Sequence, residues 1–265
     1  MEIILDRKIV SDLRGWFTEY VNRFKDHDKE LQLNIEIKRE HTERVTREII
    51  NIGKELSLND NELNLAEIIA LFHDIGRFQQ YKRYKTFSDS RSENHAELGI
   101  KILKSANVLG MLNQDLQELV FCSIKYHNRP SLPDWETGSC LYYSRLIRDA
   151  DKLDIWRVVT NYYHRNNNKR NIAIELELPD TPGISEEVYE SIMNRQIVNI
   201  RNVRNINDIK LLQAGWIFDI NFSPSFGYIK KRRYIELLRQ ALPESDKIDS
   251  AFGLISTFLE SKCQN

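Results

Sequence analysis

Apolar residues recur at steps of three and four along most of this chain, a period that predicts helices rather than strands. Ile9, Val10, Leu13, Trp16, Phe17, Tyr20, Val21 and Phe24 follow Asp6, which predicts an N-capped first helix running to about Lys25. A second stripe reads His41, Val45, Ile49, Ile52 and Leu56, with the pattern broken over 57–61. A third helix, begun near Asn64 and ended by Gly76, carries Ala66, Ile69, Ala70 and His73 on one face. From 77 to 91 no period is sustained, which predicts a long loop of the kind that often serves function. Ser92 is the expected cap of a fourth helix with His95, Leu98, Gly99, Ile102 and Ala106 inward. Asn113 caps a fifth with Leu116, Val120, Ile124 and His127 inward, ending at Asn128-Arg129-Pro130.

A longer sixth helix is expected over 139–163, and its inner stripe reads Ile147, Asp151, Asp154, Val158. Polar breaks follow at 166–170 and 178–183, and the stretch 172–178 alternates apolar with acidic residues, so a small hairpin is expected there. Beyond, helices are predicted from Ser185 and over 208–220, 226–241 and 246–262. The periodicity and short connections imply an all-α fold with antiparallel neighbours. The organisation expected is a helical core with its N-terminal helix over 1–165 and a C-terminal helical extension or subdomain over 166–265.

A chain of 265 residues has length enough for a sizeable core. Its 38 Lys and Arg nearly balance 39 Asp and Glu, giving a formal net charge of -1, so nothing global points to nucleic acid or an anionic membrane. Cys122, Cys140 and Cys263 are odd in number and widely spaced, which predicts neither a disulfide framework nor a zinc knuckle. Charge arrives early in the N-terminal residues, and no apolar run approaches membrane-spanning length. The expectation is a soluble cytoplasmic protein.

What changes the picture is where polar residues interrupt the apolar stripes. His41, His73, Asp74, His95, His127 and Asp151 are inward-facing positions on five successive helices. Burying imidazoles and carboxylates costs free energy unless they find partners. Any one of them is ordinarily a hydrogen-bonded core residue, His127 for instance as a helix C-terminal cap. Six together, without a cation, need six separate compensations. Imidazole and carboxylate in this ratio suit Fe, Mn, Co, Ni or Zn rather than magnesium or calcium. Two divalent transition metal ions sharing a carboxylate is the economical arrangement for so many ligands.

The order H…HD…H…H…D, carried by His41-Thr42-Glu43-Arg44-Val45, Phe72-His73-Asp74-Ile75-Gly76, His95-Ala96-Glu97-Leu98-Gly99, Ile124-Lys125-Tyr126-His127-Asn128 and Arg148-Asp149-Ala150-Asp151-Lys152-Leu153-Asp154, resembles the HD-domain superfamily of metal-dependent phosphohydrolases. The similarity covers about 35–159. It implies that His41, His73, Asp74 and Asp151 hold one metal and His95 and His127 a second, with Asp74 bridging. Asp151 is preferred over Asp149 and Asp154 because the family's last aspartate is commonly followed by Lys or Arg, here Lys152. A water shared by two such metals is deprotonated near neutral pH and aimed at phosphorus. Arg77, Arg129 and Lys152, each adjacent to a ligand, are the expected phosphate clamp, with Asp74, Lys152 and Arg77 the catalytic set. Lys82, Arg83 and Lys85 are placed on the loop as a mobile lid over a polyanion.

The expected partner is a small phosphorylated substrate, nucleotide-like, bound through a phosphate ester or anhydride, in a chain that leaves room for a homo-oligomer. Two alternatives use the same residues. HD-type di-iron oxygenases share the ligand order, and a nucleotide sensor without turnover would share the pocket.

Overall fold

The computed structural model describes residues 5–164 and 172–264. Among these, thirteen α-helices and three short 3-10 turns carry the chain, and no strand is present. The architecture is all-α, as the periodicity predicts. The polar break at 166–170 lies outside the described residues. No described helix is long and apolar enough to cross a membrane. The chain divides into two compact units, Met1–Asp151 and Lys152–Asn265.

In the first unit α1 (Arg7–Asn22) begins where Asp6 accepts a hydrogen bond from the Ile9 amide. It buries Val10, Leu13, Phe17, Tyr20 and Val21. α2 (Lys29–Glu55) is capped by Asp28, which accepts from the amides of Glu30 and Leu31 at 3.0 and 3.1 Å. Its 27 residues span about 40 Å at the usual helical rise. α3 (Asp60–Phe72) starts four residues earlier than its apolar pattern suggests, because Asn59 and Glu62 form a reciprocal capping box.

The segment 77–91 departs from the expectation of a long loop. α4 (Ile75–Tyr84) occupies most of it, followed by a 3-10 turn at Asp89–Arg91. The helix was hidden because Phe78 and Tyr81 are the only apolar residues it buries beyond Gly76, in a stretch dense in charge. Phe78 is fully buried and meets Phe17 and Tyr20 edge-on at 5.8 and 6.4 Å between ring centres. Tyr81 stacks near Phe87 at 4.7 Å. Burying two such rings contributes roughly 2–3 kcal/mol each, enough to override weak local propensity.

Gly76 likewise does not end α3. α3 stops at Phe72, His73 and Asp74 form the junction, and Gly76 lies in the first turn of α4. Glycine is needed there for space: an added Cβ would lie 2.1 Å from the His95 carbonyl oxygen and 2.8 Å from the Gly99 amide nitrogen. α5 (His95–Ser105) therefore packs against α4 backbone to backbone. Its cap is Asn94, which accepts from the Glu97 amide, and not Ser92, whose hydroxyl bonds the Ser88 carbonyl. α6 (Gln114–His127) is capped by Asn113 as expected.

α7 (Gly138–His164) contains the division between the units. Cys122 on α6 and Cys140 near the start of α7 are paired as a disulfide with Cα atoms 6.0 Å apart, which corrects the expectation that the cysteines form no bridge. A separation of 18 residues conceals that the chain reverses between the two helices, bringing the residues side by side. Cys263 is free.

The second unit packs around Trp156, which is fully buried and donates from its indole nitrogen to the Gln213 carbonyl at 2.9 Å. The expected hairpin at 172–178 is instead a single helical turn, α8 (Ile172–Glu175), leading into irregular chain. α9 (Glu186–Met193), α10 (Ile206–Gly215), α11 (Ser223–Lys231), α12 (Tyr234–Gln240) and α13 (Asp246–Cys263) follow. The helix expected over 226–241 is broken in two at Arg233, which adopts a left-handed conformation with φ of 58°.

The close approach at Gly76 makes a prediction. Gly76→Ala forces α4 and α5 apart and lowers stability by on the order of 3 kcal/mol. Urea unfolding of the two proteins checks it, and an unchanged midpoint contradicts it.

Candidate metal centre

The junction between α3 and α4 sets the site. His73 leaves the last turn of α3 with no exposed surface, and Asp74 sits at φ -107° and ψ 14° with its side chain free of any capping role. α2 brings His41, α5 brings His95 at its first residue, α6 brings His127 at its last, and α7 brings Asp151. All six side chains of the expected ligand set belong to the first unit, and the structure brings them together as two groups.

The first group is His41, His73 and Asp151. His41 Nε2 lies 3.2 Å from Asp151 Oδ1 and 3.4 Å from His73 Nε2, and His73 Nε2 lies 4.0 Å from Asp151 Oδ1. The second is Asp74, His95 and His127, with His95 Nε2 at 3.0 Å from His127 Nε2. Asp74 joins the groups. Its Oδ2 is 3.6 and 3.8 Å from His41 and His73, while its Oδ1 is 3.2 and 3.7 Å from His95 and His127. Ligands about 2.1 Å from one metal stand about 3 Å apart at right angles and about 4 Å apart across it. These separations fit that window.

The hydrogen-bond pattern says which ring atoms are left to accept a cation. His73 Nδ1 donates to the Ala70 carbonyl and His127 Nδ1 to the Ile124 carbonyl, both at 2.7 Å. His95 Nδ1 donates to Asp89 at 2.7 Å. Each outer bond places the proton on Nδ1 and leaves a lone pair on the inward Nε2. Around Asp74 Oδ1, the Nε2 lone pairs of His95 and His127 and the carboxylate oxygen thus converge with no donor among them. Burial, with the Arg77 charge adding to it, lowers the His95 pKa, so a proton is a poor candidate to fill the gap. Burial also pulls His73 down to about 4. The donor set fits a divalent transition metal in each group.

The carboxylates are ionised. Burial alone would raise Asp74, but Lys38 and His73 hold it well below the usual carboxylate range. Burial opposes ionisation at Asp151 too, and the bond with His41 together with the His41 and His73 charges holds it below the usual carboxylate range. Lys38 was not anticipated. Its ammonium is 2.8 Å from Asp74 Oδ2 and 5.3 Å from the centre of the Phe87 ring. The signal was its position three residues before His41, on the same helical face. Asp89 was also missed, because the segment holding it reads as loop.

The expected cationic residues separate. Arg77 lies between Asp74, with Nε 3.4 Å from Oδ1, and Asp89, with Nη1 2.9 Å from Oδ1. Arg129 holds its guanidinium 4.9 Å from the Tyr126 ring centre, next to His127 in the chain. Lys82 is exposed and stands over the Phe24 ring at 5.6 Å. Arg83 pairs with Glu93 and Lys85 with Asp28. The lid expected of these three is instead the end of α4 and its C-cap, fastened on both sides. Lys152 is buried and pairs with Asp219 at 2.7 Å, within the second unit. Asp149 and Asp154, which flank Asp151, are buried as well.

Compared with known proteins, residues 39–156 match the family model described as HD domain. No curated protein and no solved structure matches the chain.

Burial of His73 gives a pH prediction for the metal-free protein. Its folded pKa of about 4 lies below the ordinary 6.5, so between these values the unfolded chain takes up a proton that the folded one refuses. Stability then falls as pH drops, by about 2–3 kcal/mol between pH 7 and 4.5. The depressed aspartates add little there, since their stabilisation is lost only below the normal carboxylate pKa. Urea midpoints in chelator at the two pH values test this, and a flat profile contradicts it.

Proposed function

From a chain that its HD domain over residues 39–156 places in the HD-domain superfamily, we propose a binuclear metal-dependent phosphohydrolase acting on a nucleotide-like phosphate ester or anhydride. The observation that carries the reading is the division of Asp74, one oxygen toward His41 and His73 and the other toward His95 and His127. A carboxylate so placed is built to serve two cations at once. In such sites paired divalent metals lower the pKa of a shared water and polarise the oxygens of a phosphoryl group.

The protein's part is positioning and charge. His41, His73, Asp74 and Asp151 hold the first metal, and Asp74, His95 and His127 the second. The Nδ1 hydrogen bonds of His73, His95 and His127 fix three of the rings before any ligand arrives, so their reorganisation contributes little to the barrier. Asp151, Lys38 and Arg77 retain 19, 18 and 16 % of their side-chain exposure, which marks the edge from which substrate and water enter. Lys38 and Arg77 place two positive charges on that edge. Arg129, half-buried beside His127, adds a planar guanidinium suited to two phosphate oxygens. These cations favour phosphate chemistry over the carbon-carbon cleavage of the di-iron oxygenases, and the dioxygen requirement separates it from their carbon-phosphorus cleavage. The aromatic rings of Phe87 and Tyr126, each next to one of the cations, suit a base or ribose beyond the phosphate.

The test is turnover without dioxygen. Protein loaded with Mn2+ or Co2+ is expected to release phosphate or nucleotide from a panel of nucleotides and phosphate esters under anaerobic conditions. Asp74→Ala is expected to lower that rate by about 10³-fold or more, since it removes a ligand common to both metals. Turnover that requires iron and dioxygen contradicts the hydrolase. Nucleotide binding without turnover in the wild-type protein, retained in Asp74→Ala, points to a sensor.

A further inference from the structure

Asp89 lies outside the set of six metal-binding side chains, yet no other acidic side chain in the described residues meets the ring of His95 from behind. Its Oδ2 accepts from His95 Nδ1 at 2.7 Å and from Asn128 Nδ2 at 3.1 Å. Its Oδ1 accepts from Arg77 Nη1 and Gln80 Nε2, both at 2.9 Å, and stands 2.9 Å from the same His95 nitrogen. Every group facing this carboxylate is therefore a donor. Two of its four donors are tied elsewhere as well: Gln80, fully buried, also reaches Ser92 Oγ and the Glu93 carbonyl, and Arg77 also bonds the Phe87 carbonyl and Gln80 Oε1.

We propose that Asp89 is the positioning residue of the second metal site: held by donors from α4 and from Asn128, the C-cap of α6, it grips His95 Nδ1, holds the opposite nitrogen toward Asp74 and His127 and sets the affinity of that site. The inference rests on the binuclear reading and extends it to a residue and a segment. His73 and His127 take their orienting bonds from carbonyls of their own helices, three residues back. His95 stands at the first residue of α5 and has no preceding helical turn to supply one. Asp89, on the 3-10 turn six residues earlier, replaces it, and as an anion it makes the imidazole a stronger donor to a metal than a carbonyl does. The first metal site draws the orienting bond of His73 from its own helix. The second depends also on the turn at 89–91, which is held by side-chain bonds from Arg77, Gln80 and Asn128.

Asp89→Asn is the discriminating change. Either orientation of an amide points its NH2 at a donor, at Arg77 and Gln80 on one side or at His95 and Asn128 on the other. Calorimetric titration of the metal-free full chain with Mn2+ is the measurement, with His95→Ala as reference and thermal unfolding to verify that each variant is folded. The wild-type protein is expected to bind two ions per chain. Asp89→Asn is expected to keep one at unchanged affinity and to bind the other about 10- to 100-fold more weakly, approaching His95→Ala, and Asp89→Glu to recover part of the loss. Two ions of unaltered affinity in Asp89→Asn overturn the inference while leaving the binuclear reading intact. Fewer than two in the wild-type protein overturn both. Equal weakening of both ions, or an unfolded variant with no recovery in Asp89→Glu, assigns Asp89 to general support of the fold and overturns its site-specific role.

Discussion

The structure turns on a convergence of lone pairs. Within 4 Å of Asp74 stand the inward nitrogens of four histidines, and three of those rings have already given their one proton to an acceptor on the far side. Such a cluster is repulsive in itself, and in a buried setting water screens little of the repulsion. Positive charge at the centre is what reconciles it. Lys38 supplies some, 2.8 Å from Asp74 Oδ2. It cannot reach between His95 and His127, where the nitrogens are 3.0 Å apart and share Asp74 Oδ1. Two cations, one on each side of the carboxylate, would satisfy every group at once.

Backbone geometry makes the convergence feasible. Were α3 and α4 one continuous helix, His73 and Asp74 would point about 100° apart rather than toward one centre. The break at their junction lets both side chains serve the centre. Gly76 then allows α5 to come within backbone contact, which brings His95 up to Asp74. Arg148 closes the other side: its guanidinium donates to the carbonyls of Tyr126 and His127, tying the end of α6 to the helix that carries Asp151. Stability and function draw here on the same contacts, so a substitution that loosens the packing also spreads the ligands.

Much of this was legible in the chain. A histidine heading an apolar stripe, as His41 does with Val45, Ile49 and Ile52, declares its own burial, and periodicity put the six polar positions on the inner faces without coordinates. What stayed hidden had no period to betray it. α4 presents few apolar residues, so its charges read as loop, and with it went Asp89 and the bonds that hold the turn. Lys38 shares a face with His41 but lies among Glu36, Arg39 and Glu40, and looks like one more solvated charge. The pairing of Cys122 with Cys140 depends on a chain reversal that spacing does not encode. The alternation at 172–178 has strand character, but a strand needs a neighbour to pair with, and the described chain offers only helices.

The most direct measurement is anomalous diffraction at the manganese or cobalt absorption edge from crystals of the metal-loaded protein. Two peaks are expected, about 3.5–4 Å apart, one within coordination distance of His41, His73 and Asp151, the other of His95 and His127, with one oxygen of Asp74 on each. A single peak, or a pair that Asp74 does not join, would contradict the account.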